Sequence, residues 1–243
     1  MGLPEGLDQL VYTKTRTIDI PRAALRKRHI VSGFDPCSYT EAFKILATRV
    51  SRLLREHHWT TVAVTSATEG EGKTLVAINL AISLAKDFEQ TALLVEADLR
   101  KPSVHDYFGL EAGLGLSDYL NADTPLEQLL VNPGIPHFVV LPGGTPQLHS
   151  SEMLGWDKTG KLVEELKARY PSRIVVFDLP PLLAVADVLA FAPHVEAALL
   201  VVEEGKTQAD EIHRAAELLS STHLIGTVLN KSRQPLVTAY GYL

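Results

Sequence analysis

Ala67-Thr68-Glu69-Gly70-Glu71-Gly72-Lys73-Thr74 stands between an apolar run at 61–65 and a helical stretch at 74–86. This is a phosphate-binding loop (P-loop), with Ala67 where the strict pattern has glycine. Gly70 and Gly72 allow the backbone to close on an anion that side chains would keep away. Successive N–H groups and the N-terminus of the following helix then point at that anion. Thr68, Glu69, Gly70, Glu71 and Gly72 make the cradle. Lys73 is placed to meet the β- and γ-phosphates, and the Thr74 hydroxyl to ligate Mg2+. A nucleotide is the expected ligand.

Outward from the loop, further apolar runs lie at 92–95, 138–141, 174–177, 197–202 and 224–229. They are nearly continuous rather than alternating, as expected of strands covered on both faces. Helical spacing separates several of them, at 160–169, 184–191 and 209–220, and strands alternating with helices imply a parallel sheet. The fold class is α/β: a P-loop NTPase with a mostly parallel β-sheet flanked by helices on both faces. Upstream, Phe43, Leu46, Val50, Leu53 and Leu54 repeat at three- and four-residue steps, which predicts a helix over 38–57. Ser38 or Thr40 is its expected N-cap, with Glu41 in the first turn.

Two of the strands end in acids. Leu93-Leu94-Val95-Glu96-Ala97-Asp98-Leu99-Arg100 puts Glu96 and Asp98 at one strand end, and Ile174-Val175-Val176-Phe177-Asp178 puts Asp178 at another, a Walker B arrangement. Ligands of open α/β sheets gather at these C-terminal ends. A carboxylate there can equally cap the following loop or pair with a basic side chain, and that alternative stands beside the catalytic one.

Composition narrows the classes. The chain has 243 residues, 46% apolar and 21% charged, enough for one large domain with a sizeable core. A net charge of −6 argues against a whole-protein polyanion binder, so no nucleic-acid partner is expected. Cys37 is the single cysteine, which excludes an intramolecular disulfide framework and multi-cysteine metal sites and fits a reducing, cytoplasmic compartment. No signal-peptide pattern opens the sequence. The apolar stretch 179–202 is interrupted by Pro180, Pro181, Asp187, Pro193, His194 and Glu196. It reads as a helix and a buried strand, so no membrane span is expected and membrane contact would need a partner. Residues 1–38 lack periodicity and read as a flexible arm. Its basic residues Lys14, Arg16, Arg22, Arg26, Lys27 and Arg28 suit solvent, anionic lipid or an acidic partner. The main domain is expected over 39–233, followed by a tail at 234–243.

Together these motifs resemble the bacterial tyrosine kinases (BY-kinases) of exopolysaccharide and capsule synthesis, over residues 39–233. The resemblance includes the P-loop, the second acidic motif with Lys101-Pro102-Ser103, and Gly113-Leu114-Gly115-Leu116-Ser117-Asp118-Tyr119-Leu120. It continues through Leu141-Pro142-Gly143-Gly144, Ser151-Glu152-Met153-Leu154 and Asp178-Leu179-Pro180-Pro181. It is strongest to the autokinases of exosortase-linked loci, where the kinase is a separate chain. The resemblance implies an ATP- and Mg2+-dependent autokinase that phosphorylates its own C-terminal tyrosines, usually within a homo-oligomeric ring. It also implies a membrane-embedded polysaccharide chain-length regulator as activator, holding the kinase in the cytoplasm beside the inner membrane. By the same resemblance Asp178 supports the metal through water, and Asp98, with Glu96, assists the metal and deprotonates tyrosine. Arg100 holds acidic groups or transferred charge, and Asn230, at a strand end, reads adenine. Tyr240 and Tyr242 are the phospho-acceptor candidates.

The sequence departs from that family in two places. The first acid of the second motif is usually aspartate; Glu96 is longer by a methylene, which predicts a base displaced by about 1 Å and a cost of up to about 10²-fold. The oligomerisation helix usually carries a glutamate and two arginines, where this chain has Glu41, Lys44 and Ala47 with Arg49 nearby. Lysine lacks the arginine fork. The alternatives are a ParA/MinD-like ATPase, against which Thr68 stands where a signature lysine belongs, and a non-catalytic nucleotide-dependent scaffold. A small-molecule kinase is less favoured because no lid segment is visible.

Overall fold

Period-two alternation sorts the central strand residues into two cores. In β2 (Thr61–Ser66), Ala63 belongs to one core while Val62 and Val64 belong to the other. In β3 (Thr91–Glu96), Leu93 and Val95 oppose Ala92 and Leu94. β6 (Arg173–Asp178) and β7 (Ala197–Glu203) repeat the pattern, with Phe177 against Val176 and Leu200 against Leu199. Both faces are covered, which is why these strands read as unbroken apolar runs. The computed structural model describes residues 15–32, 38–86, 90–168 and 172–233.

With β1 (Arg16–Thr17), β4 (Val131–Asn132), β5 (Phe138–Leu141) and β8 (His223–Asn230), these strands form one eight-stranded sheet. Its order is β1-β4-β5-β3-β6-β2-β7-β8. Every neighbouring pair is parallel except β4 with β5. The six expected strands are all present. β8 differs from expectation in its burial: it is an edge strand, half-exposed, with Leu229 57% exposed.

On the Val62 face lie α1 (Arg22–Lys27), α2 (Ser38–His57), α3 (Lys73–Ala85) and α4 (Val104–Phe108). The other face carries α5 (Leu116–Ala122), α6 (Leu126–Leu129), α7 (Ser150–Leu154), α8 (Asp157–Ala168), α9 (Asp187–Phe191) and α10 (Ala209–Leu218). α3 is apolar almost all round because it is covered almost all round, between α2 and the sheet. α2 covers it with Ala47, Val50 and Leu54. Thr40 is inside α2 rather than at its cap, and its hydroxyl donates to the Val31 carbonyl at 3.3 Å.

The expected flexible arm is different in its described part, 15–32. β1 pairs with β4, α1 buries Leu25, and Ile30 is fully buried. Asn79, buried in the middle of α3, stitches this segment down. Its Oδ1 accepts the N–H groups of Val31 and Ser32, both at 3.0 Å, and its Nδ2 donates to the His29 carbonyl at 3.1 Å. Two anchoring apolar residues and one distant asparagine leave no periodic signal, so the sequence pattern does not reveal them. Lys14, Cys37, Tyr240 and Tyr242 lie outside the described residues.

Candidate active site

The C-terminal ends of β2, β3 and β6 converge on the P-loop. Gly70 and Gly72 have φ of +80° and +90°, and a Cβ at Gly72 would sit 2.2 Å from Asn230 Nδ2. No other residue type fits both demands at position 72. Three successive loop carbonyls are held from the β7–β8 side. Glu69 O accepts from Lys206 Nζ at 3.2 Å, Gly70 O from Lys231 Nζ at 2.7 Å, and Glu71 O from Asn230 Nδ2 at 2.7 Å. Glu203 joins the two lysines, 3.4 Å from Lys206 and 2.9 Å from Lys231. Inside the loop, the fully buried Glu71 accepts the Thr68 N–H and hydroxyl, each at 3.0 Å, and the Thr207 hydroxyl. Position 68 therefore braces the loop through Glu71. The exposed Glu69 carboxylate takes Lys101 Nζ at 2.9 and 3.1 Å.

Lys73 lies between carboxylates from two strand ends. Its Nζ is 2.8 Å from Asp98 Oδ2 and 3.6 Å from Asp178 Oδ1. Thr74 Oγ1 donates to Asp178 Oδ2 at 2.7 Å. Burial alone pulls the Lys73 ammonium down, but Asp178 and Asp98 outweigh it and hold its proton more tightly than water would. Asp178 Oδ1 is buried and has no hydrogen-bond partner among the described residues, although Lys73 faces it. An orphaned carboxylate oxygen beside a hydroxyl is a hard-oxygen donor set that fits Mg2+. Among the described residues no cluster of three or more His, Cys, Asp or Glu side chains forms a metal cage. A site built for Mg2+ completes its shell with water and phosphate instead.

Glu96 is placed differently from its neighbours. It is fully buried, and both carboxylate oxygens are engaged by backbone. Oε1 accepts the N–H groups of Ser103 and Val104, the latter at 2.7 Å, and Oε2 accepts that of Gly143 at 2.8 Å. Burial pushes its carboxyl up to about 7, against the pull of those three N–H groups. Asp98 Oδ1 accepts the Lys101 N–H at 3.1 Å. Arg100 donates from Nε to Asp187 Oδ2 at 3.1 Å, and Asp187, fully buried, also accepts the Ser150 hydroxyl.

No protein-family model matches the chain. Among individual proteins it is 32% identical over 224 residues to the tyrosine-protein kinase YwqD of Bacillus subtilis, covering 91% of this chain and 93% of that one. The chain belongs to the bacterial tyrosine-protein kinases. It is also 31% identical over 207 residues to the tyrosine-protein kinase etk of Escherichia coli K12, where it spans only 28% of the relative's length. The solved kinase domain of E. coli ETK superposes with a TM-score of 0.75 at 28% identity, covering all of both chains.

The structure brings together Lys73, Thr74, Asp98 and Asp178 of this kinase, with Asn230 bonded to the P-loop and Glu96 at the end of β3 bonded to backbone. Sequence reasoning missed Asp187, which reads only as a break in an apolar stretch, and the lysines at 206 and 231. Asp187 carries a signal of its own: an acid inside an otherwise buried run needs a partner. The two lysines carry none, because a strand-end lysine is ordinarily solvated.

Proposed function

We propose that this kinase is an autokinase: it transfers the γ-phosphoryl group of ATP to tyrosine and thereby regulates exopolysaccharide synthesis or export. The observation that carries this reading is the Lys73 ammonium, held at 2.8 Å by Asp98 with Asp178 and the Thr74 hydroxyl beside it. When ATP enters, its phosphate oxygens compete for Lys73 and release the Asp98 carboxylate. A phenol of pKa about 10 is a weak nucleophile at neutral pH, and Asp98 is the group to accept its proton. The tyrosine oxygen then bonds to the γ-phosphorus as the bond to ADP breaks. Mg2+, held by Thr74 with Asp98 and Asp178, would neutralise phosphate charge. Asn230 would read adenine from its place over the loop, and Arg100, anchored by Asp187, would hold an acidic segment of the acceptor.

Tyr240 and Tyr242 are the proposed acceptors. The chain leaves β8 beside the P-loop, with Asn230 and Lys231 on loop carbonyls and the Arg233 N–H on Glu204 Oε2 at 2.7 Å. Tyr240 comes seven positions after Arg233, a reach of about 25 Å. In this reading the kinase assembles as a homo-oligomer and works with a membrane-embedded chain-length regulator, which places it in the cytoplasm beside the inner membrane. Among the described residues no helix is long and apolar enough to cross a membrane. On α2, Glu41 and Lys44 pair with each other at 3.1 Å and Ala47 is buried, so a ring contact would not repeat the family's glutamate–arginine pattern.

The test is incubation of the purified chain with Mg2+ and γ-labelled ATP, with sites mapped by mass spectrometry and Lys73→Ala run beside it. Phosphotyrosine at Tyr240 or Tyr242, absent from the Lys73→Ala sample, is the expected result. Free phosphate without phosphotyrosine, with the presumed activator tail present, would replace the kinase reading by an ATPase.

A further inference from the structure

Glu96 is the first acid of its motif, and its side chain is spent on backbone. The chain from Ala97 to Ser103 forms a loop that carries Asp98 near one end, and Glu96 closes it. Oε1 takes the N–H groups of Ser103 and Val104 at the start of α4. These are donors that a helix leaves unpaired, and Ser103 supplies no side-chain cap of its own. Oε2 reaches the other way, to the Gly143 N–H in the turn after β5.

That turn is tied onward. Leu116 N–H donates to Pro142 O at 2.8 Å and Ser117 N–H to Gly143 O at 3.0 Å, which docks the start of α5. The fit leaves no slack: a Cβ at Gly143 would lie 3.1 Å from Glu96 Oε2, and one at Gly115 would lie 2.2 Å from Pro142 O. Further out, Gln147 N–H donates to Leu99 O at 2.8 Å, inside the same 97–103 loop. One carboxylate thus joins four separate stretches: its own strand end, Lys101-Pro102-Ser103, the Leu141-Pro142-Gly143-Gly144 turn and, through that turn, Gly115-Leu116-Ser117.

We propose that Glu96 is a positioning residue, a two-sided clamp whose glutamate length holds the 97–103 loop so that Asp98 meets Lys73, and that it takes no proton from the substrate. The geometry reverses the expectation from sequence. The extra methylene does not displace a catalytic base; it gives one side chain the span to reach Val104 and Gly143 together. Aspartate, usual at this place in the family, is too short here to keep both sides. Glutamine keeps the length but turns an amide NH2 toward one of the N–H donors, so it also loses a side.

This inference rests on the kinase reading only for its activity measurement. Glu96→Asp and Glu96→Gln would be compared with the unmodified chain by amide hydrogen exchange and by steady-state autophosphorylation. Both variants are expected to speed exchange at Ser103 and Val104, or at Gly143, by at least about 10-fold, with amides 70–74 of the P-loop unchanged. Turnover should fall about 10-fold, within the cost of a sub-ångström displacement, while the ATP KM moves less than about twofold. Glu96→Asp keeps the carboxyl group, so it isolates reach and keeps a folded variant in hand. Native exchange in both variants would overturn the clamp, whatever the activity. Faster exchange at full turnover would overturn the positioning of Asp98. Loss of turnover in Glu96→Gln alone, with native exchange and an active Glu96→Asp, would make Glu96 a participant in proton transfer. An unmodified chain that never makes phosphotyrosine would sink the kinase reading, and the exchange result would still decide the clamp.

Discussion

Glu96 and Asp178 end neighbouring strands in register, Cα opposite Cα, and neither is exposed to solvent. Their surroundings are opposite. Asp178 faces an ammonium and a hydroxyl and keeps one oxygen without a hydrogen-bond partner among the described residues; Glu96 faces three backbone N–H groups that engage both of its oxygens. A buried carboxylate needs compensation, and the kind of compensation decides what is left for chemistry. Mobile side chains can exchange partners when a ligand arrives. Backbone donors fixed in a turn and a helix start cannot.

Three substitutions bear on this contrast, one at the P-loop lysine and two at the strand ends. Lys73→Ala should have the largest effect, because it removes the P-loop ammonium proposed to meet the phosphates. Turnover is expected to fall by about 10²–10³-fold, measured with labelled ATP. Asp178→Asn comes next. The asparagine oxygen can still accept from the Thr74 hydroxyl, so the fold survives, but the charge that would support the metal is gone. Mg2+ affinity, titrated through activity, should weaken by about 10–100-fold, with native amide exchange at 103, 104 and 143. Glu96→Gln should show the opposite weighting, with faster exchange and an Mg2+ affinity weakened less than in Asp178→Asn, since it displaces Asp98 without removing a charge that would support the metal. If both substitutions gave the same pattern, the two acids would not differ as their surroundings indicate.

A third strand end extends the contrast. Asn230 terminates the edge strand β8, and its amide holds the Glu71 carbonyl against Gly72. Asn230→Ala removes one of the three bonds that hold the loop carbonyls, worth about 1 kcal/mol, so the ATP KM should rise about 5-fold at nearly unchanged turnover. A narrowed preference for ATP over GTP in the same assay is the expected sign of base reading. Equal weakening of both nucleotides would confine Asn230 to the P-loop.

The sheet and the P-loop were legible because their signals are local. Strands buried on both faces give unbroken apolar runs, and the phosphate loop needs its glycines at fixed spacing. The acids at 96, 98 and 178 were legible as positions, since strand order places them at one edge. What they do there was not, because their surroundings come from residues far off in sequence. Nothing near Glu96 announces Gly143, and nothing near Arg100 announces Asp187. The segment 15–32 failed for the same reason: its hold on the body runs through Asn79, which in the sequence is a single asparagine within the apolar run of α3.

That stitch yields the prediction with the smallest effect on chemistry. Asn79 bonds the His29–Ser32 turn on the α2 side of the sheet, one full turn and more along α3 from the P-loop residues. Asn79→Ala leaves the Val31 and Ser32 N–H groups without their acceptor. Ser32 is fully buried, so water cannot replace it easily. The expected loss is about 2–3 kcal/mol, which for a chain of this size lowers the melting temperature by about 5–10 °C. Turnover of the folded fraction and exchange at 103, 104 and 143 should stay native. A chain that melted unchanged would return residues 15–32 to the status of a loose arm. A chain that lost turnover without losing stability would show that the strand-end site is not insulated from α3, and the separation drawn between Glu96 and Asp178 would then need a wider network to explain it.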